Sequence, residues 1–124
     1  MSLLESGENY LEAILMLIKI QKDVHAIDVA THLGYSKPSV SIALKKLCND
    51  GYIIIDKNSH IHFTEEGEAI ANKIYERHVI LTDAFKRLGV SAKTAEEDAC
   101  KIEHDLSDET FEAIKKHFNK YDLK

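Results

Sequence analysis

Apolar and polar positions follow a helical period along most of the chain, beginning with residues 2–22. Apolar side chains recur there at intervals of three and four, which places them on one face of a helix. Ser2 followed by Glu5, or alternatively Ser6, provides a capping signal at the start of this helix. The apolar face consists of Tyr10, Leu11, Ile14, Leu15, Leu17 and Ile18. We therefore predict a first helix that packs on a core.

The next part of the chain predicts two shorter helices that meet at a glycine turn. One runs from His25 to Leu33 and stops at Gly34, which tolerates the left-handed conformation that ends a helix. The next begins after Ser36, a favourable N-cap residue, and continues toward Gly51. Its inward positions are Val40, Ala43, Leu44 and Leu47.

Short β-prone runs at residues 52–55 and 60–63 flank four polar residues, a composition that predicts a hairpin with a polar tip. Helix, glycine turn, helix and hairpin is the element order of a winged helix-turn-helix, in which the second helix of the motif enters the major groove of DNA. The N-terminal part therefore predicts a DNA-binding fold.

A long helix is predicted after this hairpin. Thr64 is suited to cap it, the helix spans residues 65–88, and Gly89 ends it. Its apolar positions are Ile70, Ile74, Leu81, Phe85 and Leu88.

Two more helices complete the pattern. Ser91 or Thr94 opens a helix that reaches about Leu106, and Ser107 caps a last one that reaches Tyr121. The chain is thus mainly α-helical by prediction, and its 124 residues suit one domain or two small lobes that share a core.

Composition excludes several classes of protein. The net charge of −5 argues against indiscriminate binding to nucleic acid or anionic lipid. A run of 18 apolar residues and a signal-like N-terminal segment are both missing from the sequence, so we expect no membrane partner and a cytoplasmic location. Cys48 and Cys100 are too few for a disulfide framework and fit a reducing compartment.

Charge is distributed unevenly, and the third helix is basic in an acidic chain. Residues 31–49 contain three lysines and no acidic residue. Lysines and hydroxyls contact phosphates and base edges, and an apolar side chain can pack on a thymine methyl group. The alternative is a solvated helix with an ordinary scatter of lysines. The candidate DNA-binding residues are Ser36, Lys37, Pro38, Ser39, Ser41, Ile42 and Lys45, with Lys57 in the hairpin.

Cys100, Glu103 and His104 form the most distinctive polar group of the C-terminal part. They stand at positions i, i+3 and i+4, so a continuous helix would place all three on one face. Thiolate, carboxylate and imidazole together are ligands of transition metals. The alternative is an amphipathic helix with a polar rim. The triad therefore suggests a metal site without establishing one.

Several motifs in one order carry a resemblance to a known family. The chain resembles the diphtheria toxin repressor and manganese transport regulator family of metal-dependent repressors. The motifs are Glu8-Asn9-Tyr10-Leu11-Glu12, Ser36-Lys37-Pro38-Ser39-Val40-Ser41, Asp50-Gly51-Tyr52, Thr64-Glu65-Glu66-Gly67, Arg77-His78, Asp98-Ala99-Cys100-Lys101-Ile102-Glu103-His104 and Leu106-Ser107-Asp108-Glu109.

The resemblance implies a homodimer that represses transcription with a metal ion as corepressor. Winged helices would read a palindromic operator in double-stranded DNA, and the ion would tie the first helix to the dimerisation lobe. The implied architecture is a winged helix-turn-helix domain in residues 1–74 and metal-binding and dimerisation helices in residues 75–124, which share the long helix 65–88. By position, the implied metal ligands are Asn9, Glu12, His78, Cys100, Glu103 and His104.

This implied site differs from either type within the family. Asn9 stands where manganese-type members look to have Asp and iron-type members Met, Glu12 is similar to the manganese type, and Cys100 is similar to the iron type. In the second site of iron-type members His78 matches, but Thr82 and Glu96 depart from the pattern. A thiolate favours later metals. We therefore expect Fe(II) first and Mn(II) second, with Co(II), Ni(II) and Zn(II) as substitutes in vitro.

Other functions remain as alternatives. One alternative is a winged-helix regulator that responds to redox state through Cys100, or to a small molecule, instead of to a metal. A metal-buffering protein that does not bind DNA is a further alternative. The chain lacks the H-E-x-x-H spacing and a phosphate-binding glycine loop, so we expect neither an enzyme nor a small-molecule substrate.

Overall fold

The computed structural model describes residues 5–121, and side-chain positions through residue 119. These residues divide into two compact units, with the division between Lys73 and Ile74, inside the longest helix. Among the described residues, no helix is long and apolar enough to cross a membrane.

The N-terminal unit has the element order of a winged helix-turn-helix. Its two strands pair antiparallel, with Ile53 opposite Phe63, and Ile55 opposite Ile61. The elements are α1 (Glu5–Ile20), α2 (Ala26–Leu33), α3 (Lys37–Asn49), β1 (Ile53–Ile55), β2 (Ile61–Phe63) and the first part of α4 (Glu65–Arg87). The predicted helices and hairpin are present, with ends that differ by a few residues.

The core of this unit forms around the apolar face of α1. Leu11 and Ile14 are fully buried, as is Val40 of α3, and each such side chain contributes about 1.5–3 kcal/mol by leaving water. Ile18 was predicted to share the buried face, but it is 38% exposed because it lies in the last turn of α1. Ser6 lies inside α1 and does not cap it, while Ser2 lies outside the described residues.

Short polar contacts and glycines set the helix ends. The Asp28 carboxylate accepts a hydrogen bond from the backbone N–H of His25 (2.8 Å), the residue before α2. Gly34 ends α2 with φ at 73°, and the Ser36 hydroxyl caps α3 by accepting from the Ser39 N–H. At Gly67 an added Cβ would clash with the Tyr52 carbonyl oxygen, so only glycine fits where α4 begins beside the hairpin.

The C-terminal unit consists of the rest of α4, α5 (Ala92–Ile102) and α6 (Asp108–Tyr121). Of the two predicted caps for α5, Ser91 is the one used, since its hydroxyl accepts from the Thr94 N–H. Leu88, the last of the apolar positions assigned to the long helix, is 70% exposed and follows the end of α4 at Arg87. The last helix matches its prediction and is capped by Ser107, whose hydroxyl accepts from the Thr110 N–H.

The end of α5 differs from the prediction. The helix was expected to reach about Leu106, but it ends at Ile102 and a turn follows. The carbonyl oxygens of Glu103 and Leu106 accept hydrogen bonds from the Arg77 guanidinium. Because the Glu103 carbonyl is bonded to this side chain, the turn is stabilised at the point where the helix would otherwise continue.

Candidate metal centre and nucleic-acid interface

Two imidazoles flank a buried carboxylate in the C-terminal unit. The Glu103 side chain has no exposed surface, and its Oε1 lies 2.9 Å from Nδ1 of His78 on α4. Its Oε2 lies 3.4 Å from Nε2 of His104 and has no hydrogen-bond partner among the residues that the structure describes. Glu103 therefore contacts two other predicted metal ligands, His78 of α4 and its neighbour His104 in the turn after α5.

Burial makes a negative charge on the Glu103 carboxylate costly. An ionised carboxylate without water needs a cationic partner or several hydrogen bonds. The hydrogen bond with Glu103 raises the pKa of His78, assisted by the charges of Glu103 and Glu96 and opposed by burial of the imidazole. Within residues 5–119, hydrogen bonds reach one carboxylate oxygen of Glu103 and leave the other without a partner. One carboxylate and two imidazoles are donor types that a divalent transition-metal ion takes.

Cys100 differs in exposure from Glu103 of the predicted triad. It is exposed, whereas Glu103 is fully buried. The expectation of one continuous helix beneath all three residues is wrong, because α5 ends at Ile102, before Glu103 and His104. Ala95 and Ala99 are both buried, and with Glu103 they stand four residues apart, so the inward stripe runs through Glu103 and passes beside Cys100. The two alanines were the sequence signal for this stripe.

Arg77 holds the turn that carries the ligands, and sequence reasoning assigned it no role. Its guanidinium is buried, donates to the carbonyl oxygens of Glu103 (3.0 Å) and Leu106 (2.5 Å), and pairs with the Asp108 carboxylate (2.5 Å). The guanidinium carbon also lies 5.2 Å from the ring centre of Phe111. These contacts fix the backbone on which the Glu103 and His104 side chains are mounted.

The remaining predicted ligands lie in α1, in the N-terminal unit. Glu12 is buried at 7% exposure, which is unusual for a carboxylate and indicates a polar or charged environment. Asn9 is half-buried, one position before the buried Tyr10. The participation of Asn9, Glu12 and Cys100 in a metal site stays a prediction.

The third helix presents the predicted DNA-binding side chains outward. Val40, Leu44 and Leu47 are buried, and Ile42 is 73% exposed. Every candidate on α3, its N-cap and the hairpin tip is exposed: Ser36, Lys37, Pro38, Ser39, Ser41, Ile42, Lys45 and Lys57. Lys46, on the same helix, instead forms an ion pair with Asp50 (3.2 Å). The exposed face therefore combines hydroxyls, one apolar side chain and two lysines that can reach a nucleic acid.

Two family models account for nearly the whole chain. Residues 2–61 match the N-terminal DNA-binding domain of the iron-dependent repressors. Residues 64–123 match the metal-binding and dimerisation domain of the same proteins. The chain belongs to the iron-dependent repressor family. This result confirms the predicted fold class and the resemblance on which it rested, and it places the chain among metal-dependent transcriptional repressors.

Individual relatives agree with this assignment. The chain is 35% identical over 117 residues to the transcriptional regulator MntR of Escherichia coli O6:H1, covering 94% of this chain and 76% of MntR. It is 36% identical over 119 residues to an uncharacterised HTH-type transcriptional regulator of Methanocaldococcus jannaschii, covering 94% and 95% of the two chains. A regulator that responds only to redox state or a small molecule is not favoured by these likenesses.

Solved structures show the same fold. The manganese regulator SloR superposes with a TM-score of 0.79 at 27% identity, covering 91% of this chain and 53% of SloR. The metal-dependent transcriptional regulator MtsR gives a TM-score of 0.82 at 25% identity, with the same coverage of each chain. The chain spans about half the length of these two proteins.

Proposed function

We propose that this protein is a homodimeric repressor whose binding to a palindromic DNA operator requires a divalent metal ion held by the His78, Glu103 and His104 cluster. The observation that supports this most strongly is the buried Glu103 carboxylate between two imidazoles. It lies within the segment that matches a metal-binding and dimerisation domain.

The chemical basis is charge compensation. A bound divalent ion supplies positive charge to a carboxylate that has lost its water. His78 and His104 offer neutral nitrogen ligands, Glu103 offers oxygen, and Arg77 keeps the backbone of the turn in place. Since the histidines must be neutral to bind an ion, metal affinity is expected to fall at acidic pH.

The sequence resemblance extends the proposed ligand set beyond this cluster. Asn9 and Glu12 of α1 and Cys100 of α5 are the additional ligands that it implies. Of the similar structures, SloR is described as a manganese regulator and MtsR as a metal-dependent transcriptional regulator. We propose Mn(II) or Fe(II) as the corepressor, and a thiolate from Cys100 would favour Fe(II).

The DNA-binding role is proposed for the exposed face of α3 and the hairpin tip. Lys37, Lys45 and Lys57 supply positive charge for phosphates, the serines supply hydroxyls, and Ile42 supplies an apolar contact for thymine methyl groups. A homodimer would present two copies of α3 to half-sites about 34 Å apart on one side of the duplex. Such a protein acts where DNA is accessible, in the cytoplasm.

Metal and operator are thermodynamically coupled in this proposal. If the ion strengthens operator binding by some factor, the operator must strengthen ion binding by the same factor. The test is an anaerobic fluorescence titration of the native operator with Mn(II), Fe(II), Co(II), Zn(II) or a chelator. We expect tight binding with Mn(II) or Fe(II) and weak binding with the chelator. Equal operator affinity with chelator and with either ion would contradict the proposed function.

A further inference from the structure

The turn between α2 and α3 exposes an aromatic residue that is not among the predicted DNA-binding residues. Tyr35 follows Gly34, the last residue of the α2 cap, and directly precedes Ser36, the N-cap of α3. It is 48% exposed. A tyrosine in this position offers a ring to the protein and a hydroxyl to the solvent, and tyrosine hydroxyls are among the donors that contact DNA phosphates.

Both the backbone and the ring of Tyr35 are held in place. Its N–H donates to the Ala30 carbonyl oxygen (3.1 Å), which also accepts from the Gly34 N–H (2.8 Å). Its ring packs against the ring of Tyr10, with centroids 5.9 Å apart and planes tilted by 59°. Tyr10 belongs to α1 and is only 6% exposed, so this contact ties the Tyr35 ring to the core. A side chain restrained in this way loses little conformational freedom when its hydroxyl binds a ligand.

The serine hydroxyls in the first turn of α3 are partly used inside the helix cap. The Ser36 hydroxyl oxygen accepts from the Ser39 N–H (3.3 Å), and the hydroxyls of Ser36 and Ser39 are hydrogen-bonded to each other (2.9 Å). Because each hydroxyl has one hydrogen, this pair keeps one donor for DNA instead of two. Pro38 has no N–H to offer. The cap leaves the polar atoms of Lys37 and Tyr35 unused at this end of the helix.

We propose that the Tyr35 hydroxyl donates a hydrogen bond to a DNA phosphate beside the N-terminal end of α3, with the Tyr10 ring fixing its direction. This inference rests on the proposed function, in which α3 enters the major groove of the operator. Phosphate contacts set the position and orientation of a protein on the duplex but do not read the bases. Tyr35 therefore positions α3 on DNA without selecting the sequence.

A neutral donor differs from a lysine in its response to salt. A lysine that neutralises a phosphate releases a counterion, so its removal reduces the dependence of affinity on salt. The Tyr35 hydroxyl carries no charge when it donates a hydrogen bond. Its removal should lower affinity by the same factor at every salt concentration.

The first test is a fluorescence titration of the operator in saturating Mn(II) with the full-length protein and two variants. Tyr35→Phe keeps the ring and removes the hydroxyl, and we expect about tenfold weaker binding with an unchanged salt slope. The same factor should apply to a duplex of unrelated sequence, because the contact is to a phosphate. Tyr52→Phe removes a hydroxyl from a buried tyrosine of the same unit and should bind as wild type does.

The second test locates the phosphate. Single phosphates of one half-site are replaced in turn by uncharged methylphosphonates, and the loss of affinity is measured for wild type and Tyr35→Phe. One position should cost wild type clearly more than it costs Tyr35→Phe, whereas the other positions should cost both proteins the same.

Three results would overturn the Tyr35 contact: wild-type affinity in Tyr35→Phe, a loss confined to the operator sequence, or no methylphosphonate position that distinguishes the two proteins. If wild type still binds the operator only with Mn(II) or Fe(II), these results leave the proposed function intact. Equal operator affinity of wild type with metal and with chelator would instead overturn the proposed function, and the Tyr35 contact with it.

Discussion

The two histidine–carboxylate clusters of this protein use similar groups in opposite environments. Glu103 stands between the imidazoles of His78 and His104 and has no exposed surface. Asp56, in the hairpin, stands between the imidazoles of His60 (3.8 Å) and His62 (2.8 Å), and its side chain is 33% exposed. Water screens and hydrates the Asp56 carboxylate, so its charge needs no bound cation. The Glu103 carboxylate is buried and has no such hydration. Burial therefore determines which of the two carboxylates needs a bound cation to compensate its charge.

The largest effect is expected from removing the buried charge. Glu103→Gln preserves the shape of the side chain but removes the anion that a metal ion would compensate. We expect operator affinity in saturating Mn(II) to drop to the level seen with chelator, a loss on the order of 100-fold. The exposed neighbour Asp105, changed to Asn, is the matched control. Metal-stimulated operator binding of wild-type strength in Glu103→Gln would show that the buried carboxylate does not depend on a metal ion.

A smaller loss is expected when the support of the buried cluster is weakened. Arg77→Lys keeps the positive charge but cannot reach both carbonyl oxygens and Asp108 with one planar group. Metal affinity should fall by about tenfold or more, because the turn carrying Glu103 and His104 loses its anchor. Co(II) titration followed by absorbance measures this loss. A Co(II) affinity equal to that of wild type would show that Arg77 does not position the ligands.

The DNA-binding face should respond independently of either cluster. Lys37→Ala and Lys45→Ala remove charges from the exposed side of α3, and each should reduce the slope of log affinity against log salt by about one. Lys46→Ala is the control on the same helix, since Lys46 already pairs with Asp50. Metal affinity should stay unchanged in all three variants. Identical salt slopes for Lys37→Ala, Lys45→Ala and wild type would place the contact elsewhere.

Cys100 tests whether an exposed thiol can belong to the buried site. If its thiolate is a ligand, Cys100→Ser should weaken Fe(II) more than Mn(II), by about tenfold in the ratio of the two affinities. The ratio is obtained from anaerobic competition titrations. The same ratio in both proteins would exclude Cys100 from the ligand set and leave the carboxylate and imidazoles as the main donors.

The smallest effect is expected in the exposed cluster of Asp56, His60 and His62. His62→Ala should return the pKa of Asp56 from about 2 toward 3.8, because the main hydrogen bond to the carboxylate is lost. A lowered carboxylate pKa stabilises the fold above pH 3.8, and this contribution disappears as pH falls through about 2. NMR titration of the Asp56 carboxyl carbon measures the change. An Asp56 pKa near 2 in the variant would assign the effect to the backbone hydrogen bonds.

The sequence was sufficient for most of the fold because local signals agreed with each other. Gly34 and Ser36 marked the turn between α2 and α3, and the spacing of Val40, Leu44 and Leu47 identified the buried face of the recognition helix. These signals act over a few residues, so they can be interpreted without knowledge of the tertiary structure.

The site was predicted less completely because its decisive contacts are distant in sequence. Helical spacing grouped Cys100 with Glu103, but the end of α5 depends on Arg77, which lies 26 residues before Glu103. Burial of Glu103 and its contact with His78 likewise depend on packing in the C-terminal unit. Local periodicity cannot supply such information, and only the resemblance had associated His78 with Glu103 and His104.

The most direct test of the central claim is to measure Mn(II) affinity of the wild-type protein with and without its operator. Because coupling is reciprocal, the operator should tighten Mn(II) binding by the same factor by which Mn(II) tightens operator binding, and Glu103→Gln should abolish both effects. An Mn(II) affinity that is the same with and without operator would contradict a corepressor role for the buried cluster.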